Sequence, residues 1–561
     1  MRFLIAIGLF VVALILAVVG FAQRTIWAPP AQYSMTIQST SSAPYLVVPS
    51  SVIDLHPGNP TVIAKSGGPV FVASGRESDI AAFVDQSSVA KVSGDLKSGL
   101  SVSTRTGALA PADPNGSDLW RAQVKSVSNA ALAIDVEQGG AALVASTGLT
   151  AAPANIQLVW KGLFDPTISN ILLWLAAILM LVASILTFIE YRQMRINRGP
   201  RRRTPKAPRP PRYRYRSILG KPVRGRRAAR FTALVSGGLI LALVTGCAPS
   251  KPSSEVSASP TASTQVQPVS LLPAQTTRIL DDVAGVATDA DTSLNKDALA
   301  ERFAGPALQV RLTNYQLRKL NSRIAAVQSV VSHPLQFSLP AATSVWPRTF
   351  MAVTDEKGDS NLPQMLVLQQ DSPRTNYKLW FAVRLMPGAK IPAMPPTDIG
   401  AIMVDPASLF LKVAPNKLPA VFGDVLNSGQ SSVSAPLFNL DNQFYKQVSG
   451  SQQSQILQLK KANIQFGHTL GDANVISLAT SNGGALVAVY QTDVATIKPT
   501  KAGSAVSVGA EEKLLLGSNG STRGVRSIYG DMLLFYVPAI DDQNQITLIG
   551  ATQGLISVSS L

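Results

Sequence analysis

Three uninterrupted apolar runs punctuate a chain whose other hydrophobic positions are short and periodic. The first, Phe3 to Ala22, reads FLIAIGLFVVALILAVVGFA without a charge. A helix rising roughly 1.5 Å per residue needs about 20 such residues to cross a hydrocarbon core of roughly 30 Å. The run predicts a spanning helix over 3–22 or an uncleaved signal anchor, its length favouring this over the alternative of a cleaved secretory signal. The second run, over 168–189, carries ILLWLAAILMLVASILTFI and ends in Glu190, Tyr191 and Arg192. It lacks the polar stripe of a soluble core helix and closes on an aromatic and basic boundary, so it also predicts a transmembrane helix. The third, over 231–247, is the shorter FTALVSGGLILALVTG closed by Cys247.

Between the first two runs, residues 31–165 alternate brief apolar stretches with Gly, Pro, Ser, Asn and Asp. YLVV at Tyr45, TVIA at Thr61, PVFVA at Pro69, ALAIDV at Ala131, AALVAS at Ala141 and IQLVWKG at Ile156 belong to about eight predicted strands. That count predicts an all-β, sandwich-like module or a partly closed barrel. Residues 248–270 are rich in Ser, Pro and Thr and predict a disordered linker. Beyond it the period changes. Ile279, Val283, Val286, Ala287 and Ala290 fall at helical spacing, as do Leu299 to Leu320 around a break at Gly305-Pro306. Strand-like TFMAVTD from Thr349, QMLVLQQ from Gln364 and KLWFAVRL from Lys378 follow. The order then repeats: helical patterns at Leu418 to Leu426 and Phe438 to Leu459 precede strands from Ala473, Gly484, Val525 and Ile546. The reading is two α+β units, 271–415 and 416–561. Helices leading into a curved antiparallel sheet resemble the cone-shaped nuclear-transport-factor-2-like fold. That resemblance covers Leu271 to Leu561 and implies a pocket in each cone, used by enzymes and by binding modules alike.

Charge changes the picture through its location. The formal net charge is +17, yet Tyr191 to Arg230 holds 14 Arg and 2 Lys with no Asp or Glu and so supplies 16 of those charges. A nucleic-acid-binding module would carry its charge on a folded face, and PRYRYR at Pro211 offers the only aromatic interleaving here. Nucleic acid is therefore not an expected partner. Residues 190–230 read as a cytoplasmic loop under the positive-inside rule, with 23–167 and everything after Cys247 outside and the N-terminus inside. Arg201, Arg202, Arg203, Arg212, Arg214, Arg216, Arg224, Arg226 and Arg227 are placed to meet anionic headgroups, at roughly 1 kcal/mol each near the surface. Six prolines in the loop argue against a helix. Expected partners are membrane lipids and a protein or cell-envelope ligand of unknown identity.

Cys247 is the one cysteine, so no intramolecular disulfide forms. The basic cluster, the brief apolar run and then Val244-Thr245-Gly246-Cys247 resemble the export signal and lipobox of bacterial lipoproteins. The resemblance implies cleavage before Cys247 and a diacylglycerol on its thiol, two acyl chains being enough for stable anchoring. Family members carry the motif near the initiator methionine, whereas here it stands in mid-chain and cleavage would yield two proteins. The alternative is that Cys247 ends a third transmembrane helix. The whole layout resembles uncharacterised actinobacterial membrane lipoproteins, which implies the plasma membrane of a bacterium.

Candidate chemistry is sparse. His56, His333 and His468 are scattered, and two of them precede proline, so no metal site is expected. Arg76, Glu77 and Asp79 read as a solvated turn, and Asp118 and Arg121 beside Trp120 as a strand edge. Tyr315, Asp355, Tyr377, Tyr490 and Asp531 could line a cone pocket but are ordinary strand-end or core residues. Gly517-Ser518-Asn519-Gly520 lacks the following Lys-Ser/Thr of a phosphate loop and reads as a hairpin turn. No catalytic residue and no cofactor is expected. The expected function is a membrane-anchored surface binding or scaffolding protein, with a surface enzyme using a C-terminal pocket as the alternative.

Overall fold

The computed structural model describes residues 2–28, 30–136, 139–162, 165–197, 269–355, 362–459 and 461–561. The lipobox with Cys247, the third apolar run, the nine arginines and nearly all of the linker lie outside the described residues.

Helix α1 (Arg2–Arg24) opens the chain. It is followed by β1 (Gln32–Gln38), β2 (Tyr45–Val48), the single turn α2 (Ser50–Ile53), β3 (Thr61–Lys65), β4 (Val70–Arg76) and α3 (Glu77–Val84). Strands β5 (Val89–Asp95), β6 (Gly99–Arg105), β7 (Ala122–Ser126), β8 (Asn129–Ala133), β9 (Gly140–Ser146) and β10 (Asn155–Lys161) lead to helix α4 (Thr167–Asn197). Helices α1 and α4 form one compact unit by themselves and are long and apolar enough to cross a membrane. Ala6 and Ala13 on α1, and Ala176 and Ala183 on α4, are buried at a spacing of seven, a seam of small residues that lets two helices approach closely. Leu14, Ile171, Trp174, Leu181 and Phe188 remain exposed, an apolar surface suited to hydrocarbon.

Among the described residues the β region has ten strands rather than about eight, in two sheets ordered β1-β10-β3-β8 and β6-β5-β2-β9-β4-β7. Ile37, Val62, Ile156 and Trp160 of the smaller sheet pack on Leu46, Val70, Val92 and Val144 of the larger. The other face of the larger sheet is also buried, where Tyr45, Phe71 and Leu143 lie under α3 and Trp120. Double burial explains why β2, β4 and β9 read as continuous apolar runs while β3 and β10 alternate. The region is β-rich, with α3 covering one face of the larger sheet.

The C-terminal region begins with α5 (Pro273–Ser293), α6 (Lys296–Arg302) and α7 (Gly305–Leu320). The meander β11 (Leu335–Pro340), β12 (Arg348–Thr354), β13 (Gln364–Gln370) and β14 (Lys378–Arg384) pairs in sequence order. Helix α8 (Leu418–Ser428), β15 (Phe438–Asn439) and α9 (Gln443–Gln458) then precede β16 (Ala462–Leu470), β17 (Ile476–Ala479) and β18 (Ala485–Pro499). The chain closes with β19 (Val506–Ser507), α10 (Ala510–Leu516), β20 (Gly520–Ser521), β21 (Val525–Val537) and β22 (Ile546–Ser560). The second sheet runs β15-β22-β21-β18-β16. Its even-numbered residues Leu486, Ala488, Met532 and Leu534 enter the core built by α5, α7 and the first sheet. Its odd-numbered residues Val487, Val489, Leu533 and Phe535 pack under α8 and α9 against Phe422 and Phe444. One hydrophobic cluster thus crosses the boundary drawn at 415/416.

The β region and the C-terminal region also form a single compact unit. Asp118, 1% exposed, accepts hydrogen bonds from Arg302 Nη1 (2.6 Å), Arg302 Nη2 (3.2 Å) and the Tyr377 N–H (2.7 Å). Arg348 Nη2 donates to Asp79 Oδ1 at 2.8 Å, and Arg374 reaches the Phe83 carbonyl at 2.9 Å and Ser87 Oγ at 2.7 Å. Asp79 and Asp118, read above as parts of a solvated turn and a strand edge, are therefore buried ionic contacts, whereas Glu77 pairs with Lys91 at the surface. The partners of Asp118 and Asp79 stand 184 and 269 positions away in the chain, too far for local pattern to show them.

Candidate functional site

Four neighbouring strands of the second sheet bring together side chains that are far apart in sequence. Cross-strand pairing sets His468 of β16 opposite Asp493 of β18, and Asp493 opposite Tyr529 of β21. One row along, Gln491 of β18 faces Asp531 of β21, which faces Gln553 of β22. Because side chains alternate along a strand, both rows project from the face that carries α8 and α9, just beyond the apolar packing of those helices. His468, Asp493 and Asp531 are buried, and one ligand-type atom from each lies within 4.8 Å of the others.

Glutamine side-chain amides surround the cluster. Gln452 Nε2 on α9 lies 3.2 Å from His468 Nε2, and Gln491 Nε2 lies 3.2 Å from His468 Nδ1. Asp493 Oδ1 stands 3.7 Å from the same Nδ1. Asp531 accepts from Gln553 Nε2 at 2.9 Å and, at longer range, from Gln491 Nε2 at 3.4 Å. Among the described residues no Lys or Arg lies within ion-pair distance of Asp493 or Asp531. Burial pushes the Asp493 carboxyl up to about 6 and lowers the His468 ring to about 4. Burial, and then the nearby charge of Asp493, push Asp531 up to about 8 against the opposing bonds from Gln553 and Gln491. Burial and neighbouring Glu512 likewise raise the Tyr529 hydroxyl, which donates to Glu512 Oε1 at 3.1 Å.

Asp493 and Tyr529 open onto a cleft of about 680 Å³. Gln452 and Gln455 of α9, Arg311 of α7 and Gln553 also line it. Helix α8 holds the opposite side of the cluster: Gly423 lies so close to β16 that a Cβ there would stand 2.5 Å from His468 Cβ. Alanine at 423 gains about 1 kcal/mol of helix propensity but overpacks at a cost of typically 1–3 kcal/mol. Since a contact of 2.5 Å must be relieved by moving a strand, overpacking wins. Gly423→Ala is expected to lower the midpoint of thermal unfolding, measured by circular dichroism.

Of the residues named from sequence, Asp531 alone joins this cluster together with His468. Tyr490 lies on the opposite face of β18 and donates to Gln309 Oε1 at 3.1 Å. Tyr315 donates to Asp291 Oδ1 at 2.5 Å, Asp355 accepts from Gln336 Nε2 at 3.0 Å, and Tyr377 packs on Phe350 with ring centroids 5.2 Å apart. His56 stacks on Tyr33 at 4.3 Å, and His333 pairs with Asp281 at 2.8 Å on the surface. The glycine-rich stretch is not a hairpin turn: Gly517, at φ +70°, ends α10, and Gly520 enters β20. Scattered histidines had argued against ligand grouping, yet one of them meets two carboxylates through sheet register.

Residues 268–560 match the model of a domain of unknown function, DUF8094, which covers just over half of the 561-residue chain. The chain belongs to this family. The DUF8094 span contains the whole cluster and the whole cleft, along with α5 to α10 and β11 to β22. No curated protein and no solved structure matches. The β region and helices α1 and α4 lie outside the DUF8094 match.

Proposed function

We propose that the protein is a membrane-anchored binding protein of the cell surface that takes a polar ligand into the cleft of its DUF8094 domain. The observation that carries this reading is the cleft itself, whose wall presents Asp493, Tyr529 and Gln553 beside buried His468 and Asp531. Anchoring by α1 and α4 is supported by their length and their exposed apolar side chains. The basic loop supports an orientation with the folded unit outside the cytoplasm and with membrane lipids as partners of its arginines. The lipobox-like Val244 to Cys247 supports a second, lipid anchor at the head of the DUF8094 part. A surface enzyme is the second reading: Asp493 beside His468 makes a pair that could hold and pass a proton to a ligand in the cleft.

The test places a photo-crosslinking amino acid at Gln455 of the full chain in living cells, with Val433, 94% exposed, as control. The expected result is an adduct of defined mass at 455 and none at 433. Identical mass spectra at both positions would remove the cleft-binding reading.

A further inference from the structure

We propose that His468, Asp493 and Asp531 form a binding site for one divalent cation of the Mn²⁺ or Zn²⁺ class, with a coordination position open to the cleft. The inference deepens the cleft-binding reading and rests on it for the role of the open position. Imidazole nitrogen with carboxylate oxygens is a donor set suited to these ions. Metal–ligand bonds of about 2.0–2.2 Å put ligand atoms about 3–4 Å apart. The separation of 3.7 Å between His468 Nδ1 and Asp493 Oδ1 falls in that range, and the three donors together lie within 4.8 Å of one another. The two buried carboxylates have no basic partner among the described residues, and a cation would supply the missing counter-charge.

A second observation concerns Gln491. Its side chain is fully buried, its amide lies between His468 and Asp531, and its Oε1 has no hydrogen-bond partner among the described residues. Both ring nitrogens of His468 face amide nitrogens. A neutral imidazole accepts at one nitrogen and donates at the other, so the two amides cannot both present N–H to it. Turning the Gln452 amide removes the conflict and leaves Nδ1 as the accepting nitrogen, the atom a cation would take. The Nε2–H then donates to Gln452 turned to offer its oxygen, the orienting contact usual for a metal-bound histidine. Gln491, turned likewise, gives up its long contact to Asp531 and brings its orphan oxygen toward the ion. Asp493, which lines the cleft at 8% exposure, marks the route by which an ion and a ligand reach the site.

The test uses the full chain in detergent, with Cys247→Ser so that the thiol cannot bind metal, no histidine tag, and prior treatment with EDTA. Mn²⁺ is titrated in and the free ion followed by electron paramagnetic resonance, with Zn²⁺ added as competitor. One Mn²⁺ per chain, displaced by Zn²⁺, is expected. His468→Gln and Asp531→Asn should each weaken binding at least about tenfold, and Gln452→Ala by about 10–100-fold as an orienting contact. Val433→Ala, exposed and away from the cleft, should bind as the parent does. Circular dichroism in EDTA checks that each variant is folded, and Asp493→Asn serves if one is not. No ion bound at one per chain, or equal binding by folded variants, overturns the proposal. An adduct at 455 without metal binding would remove the ion and leave the cleft reading standing.

Discussion

Asp118→Ala will destabilise the folded unit by roughly 3–5 kcal/mol, the cost of stranding one member of a buried ion pair. The carboxylate accepts three hydrogen bonds, two from Arg302 and one from the Tyr377 N–H. Alanine leaves all three donors without it in a region where Arg302 is 7% exposed. Arg302 Nη2 keeps Asp282 at 3.1 Å, but Asp282 is half-exposed and does not reach Nη1. The loss therefore belongs near the lower end of the range. Asp118→Asn preserves shape and one acceptor and is expected to cost about half as much. The double variant Asp118→Asn with Arg302→Met should recover most of the single loss, because removing both charges removes the desolvation penalty as well. Denaturant unfolding read by the fluorescence of Trp120, which is fully buried, measures all three. A change below about 1 kcal/mol for Asp118→Ala would show that the pair acts as an exposed one and holds nothing together.

Much of this architecture was legible one element at a time. The patterns at Gln364, Lys378, Leu418, Gly484, Val525 and Ile546 start within a residue of observed elements, because each is an apolar run or stripe buried on one or both faces. Strand β16 was missed although Ile464, Phe466, His468 and Leu470 alternate along it, since its other positions are polar or small and the strand is only partly buried. That omission hid the site, because β16 is what brings His468 to Asp493. Gln491, Gln452 and Gln553 carry no distinctive signal in a sequence, and their role depends on register and on a helix packed over the sheet. The ionic contacts of Asp79 and Asp118 were misread for a related reason. A short charged cluster flanked by Gly and Ser looks solvated unless its distant arginines are known.

Those same contacts decide what cleavage before Cys247 would leave behind. The β region precedes the cysteine and the DUF8094 domain follows it, yet Asp118 with Arg302, Asp79 with Arg348 and Arg374 with Ser87 join them in one unit. Cutting the chain between them raises the entropy of the separated state but removes none of these contacts. With different tags at the two ends, immunoblots are expected to show two fragments, the C-terminal one labelled by a lipid precursor. Purification through the N-terminal tag should bring both down together. Cys247→Ala, or an inhibitor of the lipoprotein signal peptidase, should return a single full-length band. Asp118→Ala should leave cleavage intact while reducing recovery of the C-terminal fragment severalfold, since without a covalent link the association depends directly on the interface. If only full-length chain appears under every condition, Cys247 closes an ordinary third helix and the chain works unsplit. If two fragments form and separate on purification, the buried pairs do not hold the halves, and the strength assigned to Asp118 and Arg302 is wrong.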